Sequence, residues 1–343
     1  MSYPPTSFRN RSMLAALTLF FIAPLVAEYL LGDFPVTFLW PLIMMTPMYG
    51  GGALLIRELA RRTGRGWPTI LLLGGAYAIV EEAFTTQSLF NPHYLGMHLL
   101  SHAWIPALGI SAWWTLFMLN VHPFWSIGVS IALVEGLFPP PAGPYPSSVP
   151  APWLGKVGLS VTAVLFVLGA YAGTRYQFHH DPFRASAAQF IVSAFVVVVF
   201  AVAAFLIPKP TPGRNPSPVP SPWVMGGAAF VLGAAVFLSP AFWDWPAVVL
   251  MAAVDLAFLL GIGLFSRCSA WTPLHTFSVG AGGALLYGVH AFMQPPVIPC
   301  PKVVALASHV LFMVLAPAAI AVGVHRTRSV LRVVPLEEIV SQP

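Results

Sequence analysis

Apolar runs of roughly 17 to 25 residues, joined by short connections rich in Pro, Gly and Arg, set the pattern of this chain. That is the length a helix needs to cross about 30 Å of hydrocarbon. Ten runs qualify: about 12–31, 36–58, 67–89, 109–136, 156–174, 186–207, 223–239, 247–265, 273–294 and 303–324. The pattern predicts an all-α polytopic helix bundle in which residues 1–343 form a single integral membrane domain. The fourth run is long enough to tilt, or to bend at His122-Pro123, and the seventh is short, so nine spans compete with ten.

Charge tests the count, because cytoplasmic loops carry the excess of Lys and Arg. With ten spans and both termini cytoplasmic, the inside segments hold Arg9, Arg11, Arg57, Arg61, Arg62, Arg65, Lys156, Lys209, Arg214, Arg267, Arg326, Arg328 and Arg332. The outside segments hold only Arg175, Arg184 and Lys302. The first run follows a short basic region like that of a signal peptide, but no small-x-small cleavage site follows it, so it reads as an uncleaved span. "GGALL" recurs at 51–55 and 282–286, but in spans of opposite direction that an inverted five-span repeat would not pair.

Composition agrees with this pattern. The 343 residues are 57% hydrophobic and only 8% charged, far from a soluble domain. A net charge of +5 invites a nucleic-acid reading, which the clustering of cations beside the spans argues against. Arginine dominates the cations, with lysine only at 156, 209 and 302, a bias of GC-rich bacterial genomes, and the expected environment is the lipid bilayer of a bacterial inner membrane. Cys268 and Cys300 fall on opposite sides, so no disulfide is expected between them.

Ionisable groups inside spans are costly, at least about 2.5–3.5 kcal/mol each, and are functional candidates for that reason. Away from the span ends they are Glu28, Glu81, Glu82, His122, Asp255, His290 and His309, with Glu135 near an inner end where it can snorkel. No Lys or Arg looks deep enough to be their counter-ion. Glu81 and Glu82 are the leading pair: helical spacing sets Gly74, Ala78, Glu81, Thr85 and Ser88 along one side, with Glu82 and Thr86 beside them. Two adjacent carboxyls repel if both ionise, which leaves an acid beside a base, suited to work on a water molecule. A polar contact that fixes helix packing is the plainer reading.

"MLNVHPFWSI" sets Asn120 and His122 before a proline that can open the helix, and "LLYGVHAFMQPP" sets His290 beside Tyr287 and Gln294. Together with Gln87, the amides Asn120 and Gln294 and the phenol of Tyr287 are candidates to bind substrate or an oxyanion. Glu28, Asp255 and His309 are candidates for a proton relay or for packing. His93, His98 and His102 form a separate cluster, and the i, i+4 spacing of His98 and His102 would face two imidazoles toward a metal on a helix. The outside loop with His179, His180 and Asp181 is a further polar site. No cofactor is indicated. The second span, with Pro41, Pro47 and Gly50 to Gly52, reads as a broken helix of the transporter kind or as a glycine surface packed on Gly74 and Gly75.

A double glutamate followed on later helices by separate histidines resembles the CPBP/Abi family of intramembrane proteases, whose pattern is EExxxR, FxxxH and a histidine four residues before asparagine. Here Glu81-Glu82 matches, while Thr86 stands at the arginine, Met118 at the phenylalanine and Gln294 at the asparagine after His290. The resemblance implies a glutamate and His122 activating water, with His290 and an amide such as Gln294 or Asn120 stabilising the oxyanion. Three functions are therefore open: an intramembrane hydrolase acting on a membrane-embedded peptide, a proton- or cation-coupled small-molecule transporter, and a non-enzymatic scaffold or assembly factor. The hydrolase requires carboxylate and imidazole within reach of one water.

Overall fold

The computed structural model of the chain describes residues 6–139, 149–210 and 216–332. Among the described residues, ten helices occupy the ten apolar runs: α1 (6–30), α2 (42–62), α3 (67–85), α4 (Ala112–Leu137), α5 (Lys156–His180), α6 (Ala187–Leu206), α7 (Pro222–Phe237), α8 (Trp245–Phe265), α9 (Pro273–His290) and α10 (Lys302–Arg332). Among the described residues, six are long and apolar enough to cross a membrane: Asn10–Leu30 within α1, then α4, α5, α6, α8, and Lys302–Leu331 within α10. α7 is apolar but shorter. The strands β1 (Trp104–Ile105) and β2 (Ile110–Ser111) make one small antiparallel hairpin in the connection from α3 to α4. The protein is an all-α, multi-pass membrane protein.

Helix starts follow local sequence. Ser111 accepts from Trp114 N to cap α4, Ser221 accepts from Val224 N to cap α7, and Ser186 with Gln189 forms a capping box on α6. Prolines stand in the first turn of α3, α7, α8 and α9, where a missing N–H costs nothing. Two helices overrun the expected spans: α5 continues to His180 and α10 to Arg332, carrying polar residues past the apolar stretch. The third run falls short, because α3 stops at Thr85 and Gln87 adopts a left-handed conformation (φ 56°).

Connections segregate to two ends of the bundle, as helices that alternate in direction require. At one end Arg11 donates to Pro139 O and Arg326 to Leu137 O, each at 2.8 Å, and Arg65 reaches the carbonyls of Phe205 and Ile207. At the other, Asn91 meets Asp181, Gln87 Oε1 accepts from Ala185 N at 2.8 Å, and Gln294 donates to Asp33 at 2.9 Å. Arg214, one of the inside cations, lies outside the described residues.

α4 is central: 83% of its apolar window is buried, against 6% to 17% in α5, α6, α8 and α10. One core packs α1, α2, α3 and α4 through Leu19, Ala53, Ile70, Ile127, Ile131 and Val134. A second joins α4 to α9 through Trp125, Val129, Phe277, Ala281 and Tyr287. Glycines permit the closest approaches: a Cβ on Gly282 would run into the carbonyl of Gly226, backbone to backbone between α9 and α7. The glycines of α2 behave differently from the expected glycine-on-glycine surface. Gly50 lies on Phe20, Gly51 on Phe166 and Gly52 on Tyr77, while Gly74 packs on Pro123 and Gly75 on Phe200.

Candidate functional site

Each of the first four helices is widened over part of its length into π-helical turns: Leu25–Leu30, Thr46–Gly50, Val80–Thr85 and Val121–Val129. Such turns are frequent at functional sites. Three have a proline just before or inside them (Pro24, Pro47 and Pro123), whose ring excludes the i−4 carbonyl and whose missing N–H breaks the regular ladder. The turn in α3 has no proline, and nothing in its sequence accounts for it. These widened turns carry Glu28, Tyr49, the pair Glu81 and Glu82, and His122.

The side chains converge. His122 Nε2 lies 2.8 Å from Glu82 Oε1, and His122 Nδ1 lies 3.2 Å from Glu81 Oε2, all of them buried. The first contact is a hydrogen bond. The second is at ion-pair distance but misses hydrogen-bond geometry, so Nδ1 and Oε2 have no hydrogen-bond partner. Glu82 is held from its other side: Thr86 Oγ1 donates to Oε2 at 2.9 Å, and Ser88 also donates to Oε2. Ser88 in turn accepts from Trp114 Nε1 at 3.0 Å. Glu82 is thus fixed by three neighbours, His122, Thr86 and Ser88, while Glu81 Oε2 has no hydrogen-bond partner.

Two tyrosines complete the wall. The rings of Tyr49 and Tyr77 lie 6.3 Å and 5.9 Å from the imidazole, and the Tyr49 hydroxyl stands between the carboxylates of Glu28 and Glu81. The Tyr77 hydroxyl faces Glu81, buried and without a completed hydrogen bond. Neither Lys nor Arg contacts these three carboxyls among the described residues, so charge balance in the centre rests on His122, protons or a bound cation. Glu81, Glu82 and His122 also form the group whose donor atoms all lie within 4.8 Å of one another, as a metal ion would need.

Between this centre and the Arg57 end of the same helices lies an apolar core of Ala53, Ile70, Ile127, Ile131 and Val134. Beyond that plug sits a second charged cluster. Arg57 is fully buried, donates to Glu58 at 2.7 Å and to Glu135 at 3.0 Å, and lies 3.3 Å above the ring of Trp153. Arg61 forks onto Glu135 with bonds of 2.9 and 2.8 Å, and Glu58 also accepts from the backbone of Trp153 and Leu154. Glu135 therefore does not snorkel; two arginines clamp it. The expectation that no arginine sits deep enough to serve as a counter-ion fails here as well.

Other candidates make their contacts with other partners. Asn120 donates to Leu116 O and to Asp255 Oδ2 at 3.0 Å, which gives Asp255 the polar company that its own helix lacks. Gln294 is engaged by Leu31 O and Asp33, and Gln87 holds Ala185, so these amides serve loop and helix-end contacts. The ring of His290 lies 4.8 Å from that of Phe237, Tyr287 stacks on Trp125, and His309 lies against Phe292 and Gly32. The helix face expected for His98 and His102 does not form. His98 is left-handed (φ 51°) and His102 extended, on either side of a single 3-10 turn, although the rings of His93 and His98 lie 6.0 Å apart. Ser88 falls beyond α3 rather than on its face, yet the turn brings it back onto Glu82.

Sequence reasoning missed Tyr49, Tyr77 and the arginine cluster. Tyr77 precedes Glu81 by four residues, on the same helix face, and was legible on that spacing. Tyr49 gave no such signal, because it comes from another helix.

No curated protein and no solved structure matches the chain. No family match supports the likeness to the CPBP/Abi proteases, which rests on the residues alone. Residues 17–213, more than half of the chain and the part that holds Glu28, Tyr49, Tyr77, Glu81, Glu82 and His122, match the model of an uncharacterized membrane protein family, and the chain belongs to that family.

Proposed function

We propose that the protein is an intramembrane hydrolase, of the peptidase type, whose water is activated between Glu81 and His122. One observation carries the reading: Glu81 Oε2 and His122 Nδ1 stand 3.2 Å apart, buried, each without a hydrogen-bond partner. In this reading Glu81 takes a proton from water, and the oxygen attacks a peptide carbonyl. That proton crosses the 3.2 Å to His122 Nδ1, which gives it to the leaving amine, while the Tyr77 hydroxyl donates to the oxyanion. Glu82 fixes the ring through Nε2 and is itself held by Thr86 and Ser88. This reading gives the oxyanion role to Tyr77 rather than to His290, Gln294 and Asn120, whose contacts are with Phe237, Asp33 and Asp255.

Ten spans with both termini cytoplasmic, in a bacterial inner membrane, would open this site toward the outer half of the bilayer. The dry plug of Ile70, Ile127 and Ile131 on its inner side weighs against a transport path, which needs access from both faces. A direct test compares membranes that carry wild-type protein with membranes that carry Glu81→Gln or His122→Asn at equal abundance, by mass spectrometry of new peptide termini. Termini that depend on both residues support hydrolysis. Identical termini in all three, with proton or cation flux in proteoliposomes, would sink it.

A further inference from the structure

We infer that the arginine-rich end of the bundle holds an anionic glycerophospholipid, with its phosphate between Arg11 and Arg326 and its acyl chains along α1 and α10. The site is separate from the Glu/His centre and independent of any hydrolysis there.

Charge accounting at that end leads to it. Among the described residues, the carboxylates there are Glu58 and Glu135, and Arg57, Arg61 and Arg62 engage both. Arg11 and Arg326 are left with a carbonyl each: Arg11 donates to Pro139 O and Arg326 to Leu137 O, both at 2.8 Å. Those oxygens close the end of α4, whose partial negative charge draws cations. Capping fixes where the guanidiniums sit. It spends a single N–H of each and leaves their remaining donors, and most of two positive charges, to another partner.

The shape of the site names that partner. α1 and α10 both pack on the Ser130–Leu137 part of α4, and Thr327 ties α10 to it by donating to Gly136 O at 3.3 Å. A groove of about 400 Å³ lies between them, lined by Arg11, Leu14, Phe138, Arg326 and Val330. The Arg326 guanidinium stands 5.6 Å from the centre of the Phe138 ring, which steadies it at the groove. Each arginine also heads an apolar row on its own helix. Leu14 and Phe21 follow Arg11 on one face of α1, and Val322 and Leu315 precede Arg326 on one face of α10, all four exposed. Paired guanidiniums match the oxygens of a phosphate, and basic pockets between membrane helices suit anionic headgroups. The apolar rows favour a lipid over free phosphate. A zwitterionic lipid brings its own ammonium to offset the phosphate, so the groove selects a lipid of net negative charge, such as phosphatidylglycerol.

The experiment strips lipid from the full-length protein in detergent and offers phosphatidylglycerol, phosphatidylethanolamine or inorganic phosphate, with bound molecules counted by native mass spectrometry. One phosphatidylglycerol per chain is expected, retained about tenfold better than phosphatidylethanolamine and not displaced by excess inorganic phosphate. Arg11→Gln combined with Arg326→Gln should erase the preference. Arg267→Gln, at the same end but outside the groove, should keep it. Wild-type protein that is folded by circular dichroism yet shows no preference overturns the inference without relying on any variant. Displacement by inorganic phosphate overturns the lipid in favour of a plain anion site. An equal loss in Arg267→Gln overturns the site in favour of general surface charge. A preference that emerges only in Glu337→Gln/Glu338→Gln protein overturns it too, because the groove then belongs to the chain's own acidic segment 333–343.

Discussion

Replacing Glu135 by alanine should destabilise the bundle by about 3 kcal/mol, and the cost follows from what the carboxylate accepts. Arg57 Nε reaches it at 3.0 Å, and Arg61 adds two bonds at 2.9 and 2.8 Å. Removing one partner of a buried ion pair costs about 3–5 kcal/mol, chiefly because the other charge is left stranded. Two features put this case at the lower bound. Arg57 keeps Glu58 at 2.7 Å and the carbonyl of Ala151 at 3.0 Å, and the Glu135 side chain is 11% exposed. Arg61 bears most of the loss, since it retains only the carbonyl of Arg65 at 3.2 Å. The assay is reversible unfolding in mixed micelles titrated with a denaturing detergent, followed by tryptophan fluorescence. Arg61→Ala in the same background should then cost much less than it does alone, with a coupling energy of about 1–3 kcal/mol. A loss below about 1 kcal/mol for Glu135→Ala, or strict additivity in the double variant, would refute the account of a clamped charge.

Gly282→Ala should cost about 3 kcal/mol, because its Cβ meets the backbone of Gly226, whereas Gly261→Ala, with nothing within 4 Å, should change stability by less than about 0.5 kcal/mol; the same titration reads both. If hydrolysis is the activity, His122→Asn should reduce it by about 100-fold or more, while His290→Ala and Gln294→Ala should stay within a few-fold, as measured by the appearance of new termini. An impermeant maleimide applied to intact cells should label Cys300 but leave Cys268, which is buried at the opposite end; labelling of a cysteine in place of Lys209 from outside would reverse the orientation.

Much of the fold was legible because membrane spans are written in length and hydropathy, and both survive without knowledge of neighbours. The ten helices sit on the ten runs, while their ends moved where polar residues prolonged a helix, as in α5, or a turn cut one short, as in α3. The site was legible in part. Glu81, Glu82 and His122 were singled out because each is costly in hydrocarbon, and the fold brings them into contact. Their partners were not legible. Tyr49 and Tyr77 cost little to bury, and so attract no notice until a carboxylate is found beside them. His290 and Asn120 stood out in the sequence through their neighbours, and in the fold the ring of His290 lies on Phe237 while Asn120 donates to Asp255. Glu135 was misjudged for the opposite reason, since closeness to a span end says nothing of whether arginines wait there.

The widened turns bear on how such a centre can arise or be lost. Each holds more residues per turn than its flanking α-helix, and removing one residue rotates everything beyond it by about 100°. A single codon deleted from Val80–Thr85 before Glu81 could leave both glutamates in the chain and swing them off the imidazole. Conversely, one inserted codon in a plain apolar helix is enough to turn an outward-facing side chain inward. For relatives of this chain, length conservation through these four short stretches is therefore as informative as the identity of any acid or histidine within them.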